Sequence, residues 1–193
     1  MRYTTAGESH GRALVAIVSD VPAGVPVAAS AIDADLARRQ IGYGRGGRMA
    51  IETDRAVVLS GIRFGRTIGS PVALMIENRD APNWSSAMDP WADGSEVERV
   101  TAPRPGHADL PGCHRTGSAD VRNVLERASA RETAARVAAG AVAKALLGEL
   151  GVSVRSWVEQ IGDVATGSLA ASDVASGAVE GSDVRCPDPA AAQ

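Results

Sequence analysis

Ile68-Gly69-Ser70-Pro71-Val72-Ala73-Leu74-Met75-Ile76-Glu77 is the stretch whose reading decides the fold. Val72, Leu74 and Ile76 alternate with Ala73 and Met75, the period of two that sends successive side chains to opposite faces of a strand. Residues 56–62 read as its partner strand, joined to it by a turn near Gly65. Upstream, Arg12-Ala13-Leu14-Val15-Ala16-Ile17-Val18-Ser19 is an apolar run that reads as a buried strand ending before the turn at Pro22 to Pro26. Three helices are expected. Ser30 is placed as the N-cap of the first, with Asp33 at its third helical position and its end near Gln40. The second starts at Ser118 and runs through Arg127. Ser129 and Glu132 have capping-box spacing for the third, whose apolar stripe is Val137, Val142, Leu146 and Leu147 and which Gly151 stops. Residues 152–161 read as one more strand, and from Ala165 the chain is rich in Ala, Ser and Gly. Strands and helices alternate without the punctuation of parallel βαβ units, so the expected class is α+β, in a single domain over 1–193.

Composition narrows the function. The chain has 193 residues, 45% hydrophobic and 22% charged, ordinary proportions for a globular protein. Aromatics are only 3%, so aliphatic side chains and alanine must build the core. A net charge of −3 argues against broad nucleic-acid contact. Lys144 is the sole lysine among 20 basic residues, so an arginine beside glycine carries more information here than an arginine alone. Cys113 and Cys186 match no zinc spacing, and a disulfide is not expected in what reads as a cytoplasmic protein. Met1-Arg2-Tyr3-Thr4 runs straight into polar sequence without a signal-peptide pattern, and no apolar run is long enough for a membrane span.

The chemistry-bearing residues lie in four segments. In Gly7-Glu8-Ser9-His10-Gly11, His10 stands just before a strand: either an ordinary turn histidine or a general acid at the mouth of a sheet. Arg38 and Arg39 suit a helix C-terminus, whereas Arg45 and Arg48 sit among the glycines of 42–47, in a flexible loop or an anion clamp. Residues 79–116 show no periodicity and form a long functional loop, with Arg104-Pro105-Gly106-His107 either holding two polar side chains rigidly or making a surface turn. His114, in the same loop, reads as a surface residue. Arg127, Ser129 and Arg131 straddle a helix start, which serves as a cap or as an anion site built on free backbone N–H groups. No metal-ligand spacing, Gly-x-Gly-x-x-Gly or triphosphate loop is present.

In that order, these segments resemble the chorismate synthase family. The resemblance rests on Gly7 to Gly11, on Asp35 to Gln40 running into Gly42-Tyr43-Gly44-Arg45-Gly46-Gly47-Arg48-Met49, and on Gly69-Ser70-Pro71. It continues through Arg104-Pro105-Gly106-His107-Ala108-Asp109, Val124 to Ala135 and Val184 to Asp188. Cys113 to Asp120 departs from the family's usual lysine–tyrosine–glycine pattern. The resemblance implies a sandwich of antiparallel sheets and helices, of which this chain would be the N-terminal portion, assembled as a homotetramer. It also implies the conversion of 5-enolpyruvylshikimate 3-phosphate into chorismate by anti 1,4-elimination of phosphate. That reaction uses reduced FMN, with NADPH entering only as a flavin reductant. By carry-over, His10 would protonate the leaving phosphate and His107 would govern flavin protonation. Arg39, Arg45, Arg48, Arg104, Ser129 and Arg131 would bind the substrate, while Arg127, Ala128 and Ser129 would touch FMN. The rival reading is a non-catalytic fragment that binds anions or nucleic acid through the Gly42–Arg48 and 79–116 loops.

Overall fold

The strand pattern around residue 74 builds the centre of a four-stranded sheet. In this computed structural model, which describes residues 1–43, 51–170, 174 and 177–193, the sheet has the order β1-β2-β6-β3. Its strands are β1 (Arg2–Ala6), β2 (Ala13–Ser19), β3 (Ala56–Ser60) and β6 (Val72–Glu77), and every neighbouring pair is antiparallel. The register aligns Leu14 with Ile76, Ala16 with Leu74 and Val18 with Val72. All six are buried, so one face of the sheet is a continuous aliphatic layer. The other face carries Val15, Ile17, Val57 and Met75, and there Ile17 and Val57 are 41% and 48% exposed.

The buried face is covered by α1 (Ala29–Gln40) and α4 (Thr133–Glu149), with Ile32 and Leu36 of α1 inside. On α4 the buried stripe is made chiefly by Ala134, Ala135, Ala138, Ala139, Ala141 and Val142. Of the expected stripe, Val142 is fully buried, and Val137 and Leu146 pack partly against the core. Small side chains let the helix lie close on the sheet, which suits a core with few aromatic rings. The expected stop at Gly151 is realised as a Schellman end: Gly151 takes φ +69°, and Val152 N–H donates to the Leu147 carbonyl.

Several local expectations are corrected. Helix α1 begins two residues earlier than a Ser30 cap requires, with Ala28 at the N-cap and no side-chain cap bond; Asp33 instead accepts from the Ala56 amide and ties α1 to β3. The strand expected over 68–77 starts only at Val72, because Pro71 has no N–H to give a ladder. Likewise 56–62 stops at Ser60, and the chain between the two makes a separate hairpin, β4 (Ile62–Arg63) and β5 (Arg66–Thr67). Residues 79–116 contain a 3-10 turn over Ala81–Trp84 and a helix, α2 (Asp109–Thr116). Ser118 caps no helix; its hydroxyl closes a turn onto Asp120, and only the short α3 (Arg122–Leu125) follows. The strand expected over 152–161 shrinks to β7 (Gln160–Ile161), hairpinned to β8 (Val164–Ala165). Ser129 does cap, accepting from Arg131 N–H, but it caps a 3-10 turn over Ala130–Glu132 that leads into α4. No helix among the described residues is long and apolar enough to cross a membrane.

Candidate active site

His10 lies in the turn between β1 and β2. Its entry depends on Gly7, which takes φ +97°, and a Cβ there would stand 2.2 Å from the Ala13 carbonyl oxygen. Buried Asn78, one residue past β6, clamps the turn from beneath: its amide donates to the carbonyls of Glu8 (3.0 Å) and Gly11 (2.7 Å). From the other side, Ser9 N–H donates to the Glu126 carbonyl at 2.9 Å, and Ser9 Oγ donates to Ser129 Oγ at 2.9 Å. The turn is thereby fixed to the 126–131 segment, more than a hundred residues away in sequence.

The Glu126 carboxylate, 3% exposed, holds His10 twice. One oxygen accepts from the His10 amide at 2.8 Å, and the other lies 2.8 Å from ring Nδ1. Arg122 Nη1 donates to that second oxygen at 3.2 Å. A carboxylate only accepts, so Nδ1 carries a hydrogen and Nε2 is the nitrogen left to exchange a proton. The Trp84 ring lies 4.1 Å from the imidazole, centroid to centroid. Beside them opens a cavity of about 550 Å³, lined by His10, Arg12, Asn78, Arg79, Met88 and Trp91 among others.

The arginines named from sequence divide into three groups. Arg131 is buried: Nε donates to Asn78 Oδ1 at 2.7 Å, Nη1 to Asp54 Oδ1, and Nη2 to the Glu77 carbonyl at 3.1 Å. Arg39 reaches the same Asp54 at 3.5 Å and also donates to Thr133 Oγ1. Arg127 donates to the Gly7 carbonyl and to Thr5 Oγ1, and lies 3.7 Å from Glu132. Burial opposes ionisation of Glu132, but the Thr5 hydroxyl and Arg136, with Arg127 nearby, outweigh it and hold the carboxyl below its ordinary value. Thus His10, Arg39, Arg127, Ser129 and Arg131 converge on the 7–11 turn and the sheet end beneath it. Arg45 and Arg48 lie outside the described residues.

Arg104 and His107 are organised separately, around Asp109 at the start of α2. Arg104 grips the fully buried Asp109 carboxylate through Nε and Nη2, both at 2.8 Å, and Asp109 also accepts from the Arg104 amide. The Arg104 hydrogen bond holds the Asp109 carboxyl far below the usual carboxylate range. Arg104 Nη2 also donates to His107 Nδ1 at 3.1 Å. A guanidinium only donates, so Nδ1 of His107 is the acceptor and its hydrogen sits on Nε2. His114 is exposed.

Glu126, Asn78, Asp54 and Trp84 were not singled out by sequence reasoning. Glu126 and Asp109 stood inside quoted motifs beside the named residues, and Asn78 is the polar break after the β6 alternation. Nothing local marks Trp84 as a neighbour of His10. Among the described residues no group of His, Cys, Asp and Glu is placed to hold a metal ion.

The fold is an α+β sandwich of antiparallel sheets and helices, in which a glycine turn is tied to a helix start and a proline–glycine loop is organised separately. The sequence model of chorismate synthase matches residues 1–193, and the chain belongs to that family. The chorismate synthase of Symbiobacterium thermophilum is 60% identical over 200 residues, covering 99% of this chain and 51% of the relative. That of Rubrobacter xylanophilus is 57% identical over 187 residues, covering 97% and 48%. A crystal structure of chorismate synthase superposes with a TM-score of 0.75 at 38% identity, covering 98% of this chain and 49% of that one. The chain spans about half the length of the curated relatives it matches.

Proposed function

We propose that this chain supplies the acid–base half of a chorismate synthase, which eliminates phosphate from 5-enolpyruvylshikimate 3-phosphate to give chorismate. The observation that carries the reading is the His10–Glu126 pair, with Nδ1 tied at 2.8 Å beside a cavity of about 550 Å³. In the anti 1,4-elimination the ring carbon–phosphate oxygen bond breaks, a ring proton leaves from the opposite face, and a double bond forms with no net redox change. Glu126 anchors the imidazolium through Nδ1, so the proton given to the departing phosphate oxygen comes from Nε2. The substrate carries two carboxylates and a phosphate, which suits a site rich in arginine. Arg39, Arg45, Arg48, Arg104, Ser129 and Arg131 are assigned to it, and Arg131 acts from within the Asn78–Asp54 network that sets the floor of the turn.

Arg127, Ala128 and Ser129 are the residues assigned to FMN. Arg127 lines a cavity of about 740 Å³ in which Arg99 and Arg122 stand beside the carboxylates of Glu8, Asp89, Asp93, Asp120 and Glu126; the three guanidiniums would hold the anionic end of the cofactor, and the buried Nε–H of Arg122 has no acceptor among the described residues. Held there, reduced FMN would supply transient electron transfer to the elimination, with NADPH only as a flavin reductant. His107 would govern the flavin's protonation, with its ring steadied by Arg104, which Asp109 holds. The assembly proposed is a cytoplasmic homotetramer.

Likeness along the whole chain favours this reading over a fragment that binds anions or nucleic acid. The deciding assay is anaerobic chorismate formation from 5-enolpyruvylshikimate 3-phosphate with chemically reduced FMN. It is run on this chain alone and on residues 1–193 continued by the remaining half of the Symbiobacterium relative. Turnover by the continued chain that falls by at least about 10²-fold in His10→Ala is the expected result. A folded, FMN-binding chain without turnover, or one indifferent to His10→Ala, overturns it.

A further inference from the structure

We propose that Trp84 is the positioning residue of His10, a role that rests on His10 being the proton donor. Four side chains close a ring. His10 Nδ1 and Arg122 Nη1 meet at the same Glu126 oxygen, at 2.8 and 3.2 Å. The Arg122 guanidinium lies 5.1 Å from the centroid of a Trp84 ring, and the Trp84 ring returns to the imidazole at 4.1 Å with a 39° tilt. A single hydrogen bond to Glu126 fixes Nδ1 but leaves the imidazole free to rock about that bond, and an aromatic plate against its face removes this freedom. The same plate takes up the Arg122 cation, keeping Arg122 on Glu126.

Trp84 is built to serve as a fixed plate. It ends the 3-10 turn of Ala81–Trp84, its indole N–H donates to Asp80 Oδ2 at 2.9 Å, and its carbonyl accepts from Met88 N–H at 2.9 Å. Asn83 caps the other Asp80 oxygen at 2.9 Å. Trp91, on the rim of the same cavity, is 92% exposed by contrast. The charged groups around His10 are Glu126, which it touches, and Arg122 behind it, with Arg12, Glu77, Arg79 and Asp89 lining the cavity. Trp84 adds none, so its contribution is orientation.

The test uses Trp84→Ala and Trp84→Phe with two readouts. In NMR of the 193-residue chain, His10 is expected to show a slowly exchanging Nδ1–H and a ring C–H shifted upfield by the indole. Trp84→Ala loses both while the backbone spectrum is retained, and Trp84→Phe keeps the Nδ1–H. In the chorismate assay, Trp84→Ala lowers kcat on the order of 10- to 100-fold at nearly constant KM, whereas Trp84→Phe stays within about threefold. A Trp84→Ala protein with an intact Nδ1–H signal and full kcat overturns the proposal, as does a Trp84→Phe protein as impaired as Trp84→Ala. The NMR readout needs no turnover, so failure of the elimination assay alone counts against the functional reading and leaves the positioning role to be decided by the spectra.

Discussion

Two of the three histidines, His10 and His107, are held by opposite logic. His10 offers Nδ1 to a carboxylate and therefore keeps a hydrogen there, leaving Nε2 to take or give the working proton. His107 offers Nδ1 to a guanidinium and must accept, which puts its hydrogen on Nε2. His10 is 19% exposed and touches its carboxylate directly, whereas His107 is 35% exposed and is steadied mainly through Arg104, itself locked on Asp109. One imidazole thus keeps its hydrogen on Nδ1 in a wall of the fold, the other on Nε2 on a loop. The partner at Nδ1, more than the surrounding motif, assigns the chemistry.

The strongest way to break this contrast is Glu126→Gln. It preserves shape but allows an N–H to face Nδ1, and under the proposed function chorismate formation by the chain continued with the relative's remaining half should fall on the order of 10²–10³-fold. In ¹⁵N spectra His10 should then shift toward the tautomer that His107 already has. Asn78→Ala attacks the support of His10 alone. It strands two turn carbonyls and the buried Arg131 Nε, so urea unfolding should lose about 2–4 kcal/mol, with the His107 signals unchanged. Asp109→Asn attacks the other side. The folded carboxyl titrates below its unfolded value of about 3.9. Its contribution to stability is therefore complete above about pH 5 and is lost as pH falls through the unfolded value toward the folded one. The variant should lose that acid-side slope in a pH titration of stability and free Arg104, with His10 unaffected. The smallest effect belongs to His114→Ala, which should change stability by no more than about 0.5 kcal/mol in the same unfolding assay because the side chain is exposed.

What could be read from sequence was whatever has a period. The alternation of Val72, Leu74 and Ile76 located the central strand, and the Gly151 stop located the end of α4. Starts failed where a polar side chain had a better partner elsewhere: Asp33 on the Ala56 amide, Ser118 on Asp120, Glu132 on Thr5 and Arg136. The motifs announced His10, Arg127, Ser129 and Arg131, yet the partners that give them geometry are remote. Glu126 lies 116 positions from His10, and Asn78 lies 53 from Arg131. Such pairings carry no local signal, since neither residue alone differs from an ordinary surface or cap residue.

The clamp on the 7–11 turn also governs when the orientation of His10 can arise during folding. The bonds to Ser129, Glu126 and Asn78 that fix the turn close loops of long sequence separation, and ordering such a loop costs entropy before any contact offsets it. The turn therefore acquires its geometry only as the 126–131 segment docks. Stopped-flow refolding should show the His10 environment maturing with the slowest structural phase, after the local helical signal of α4 has formed.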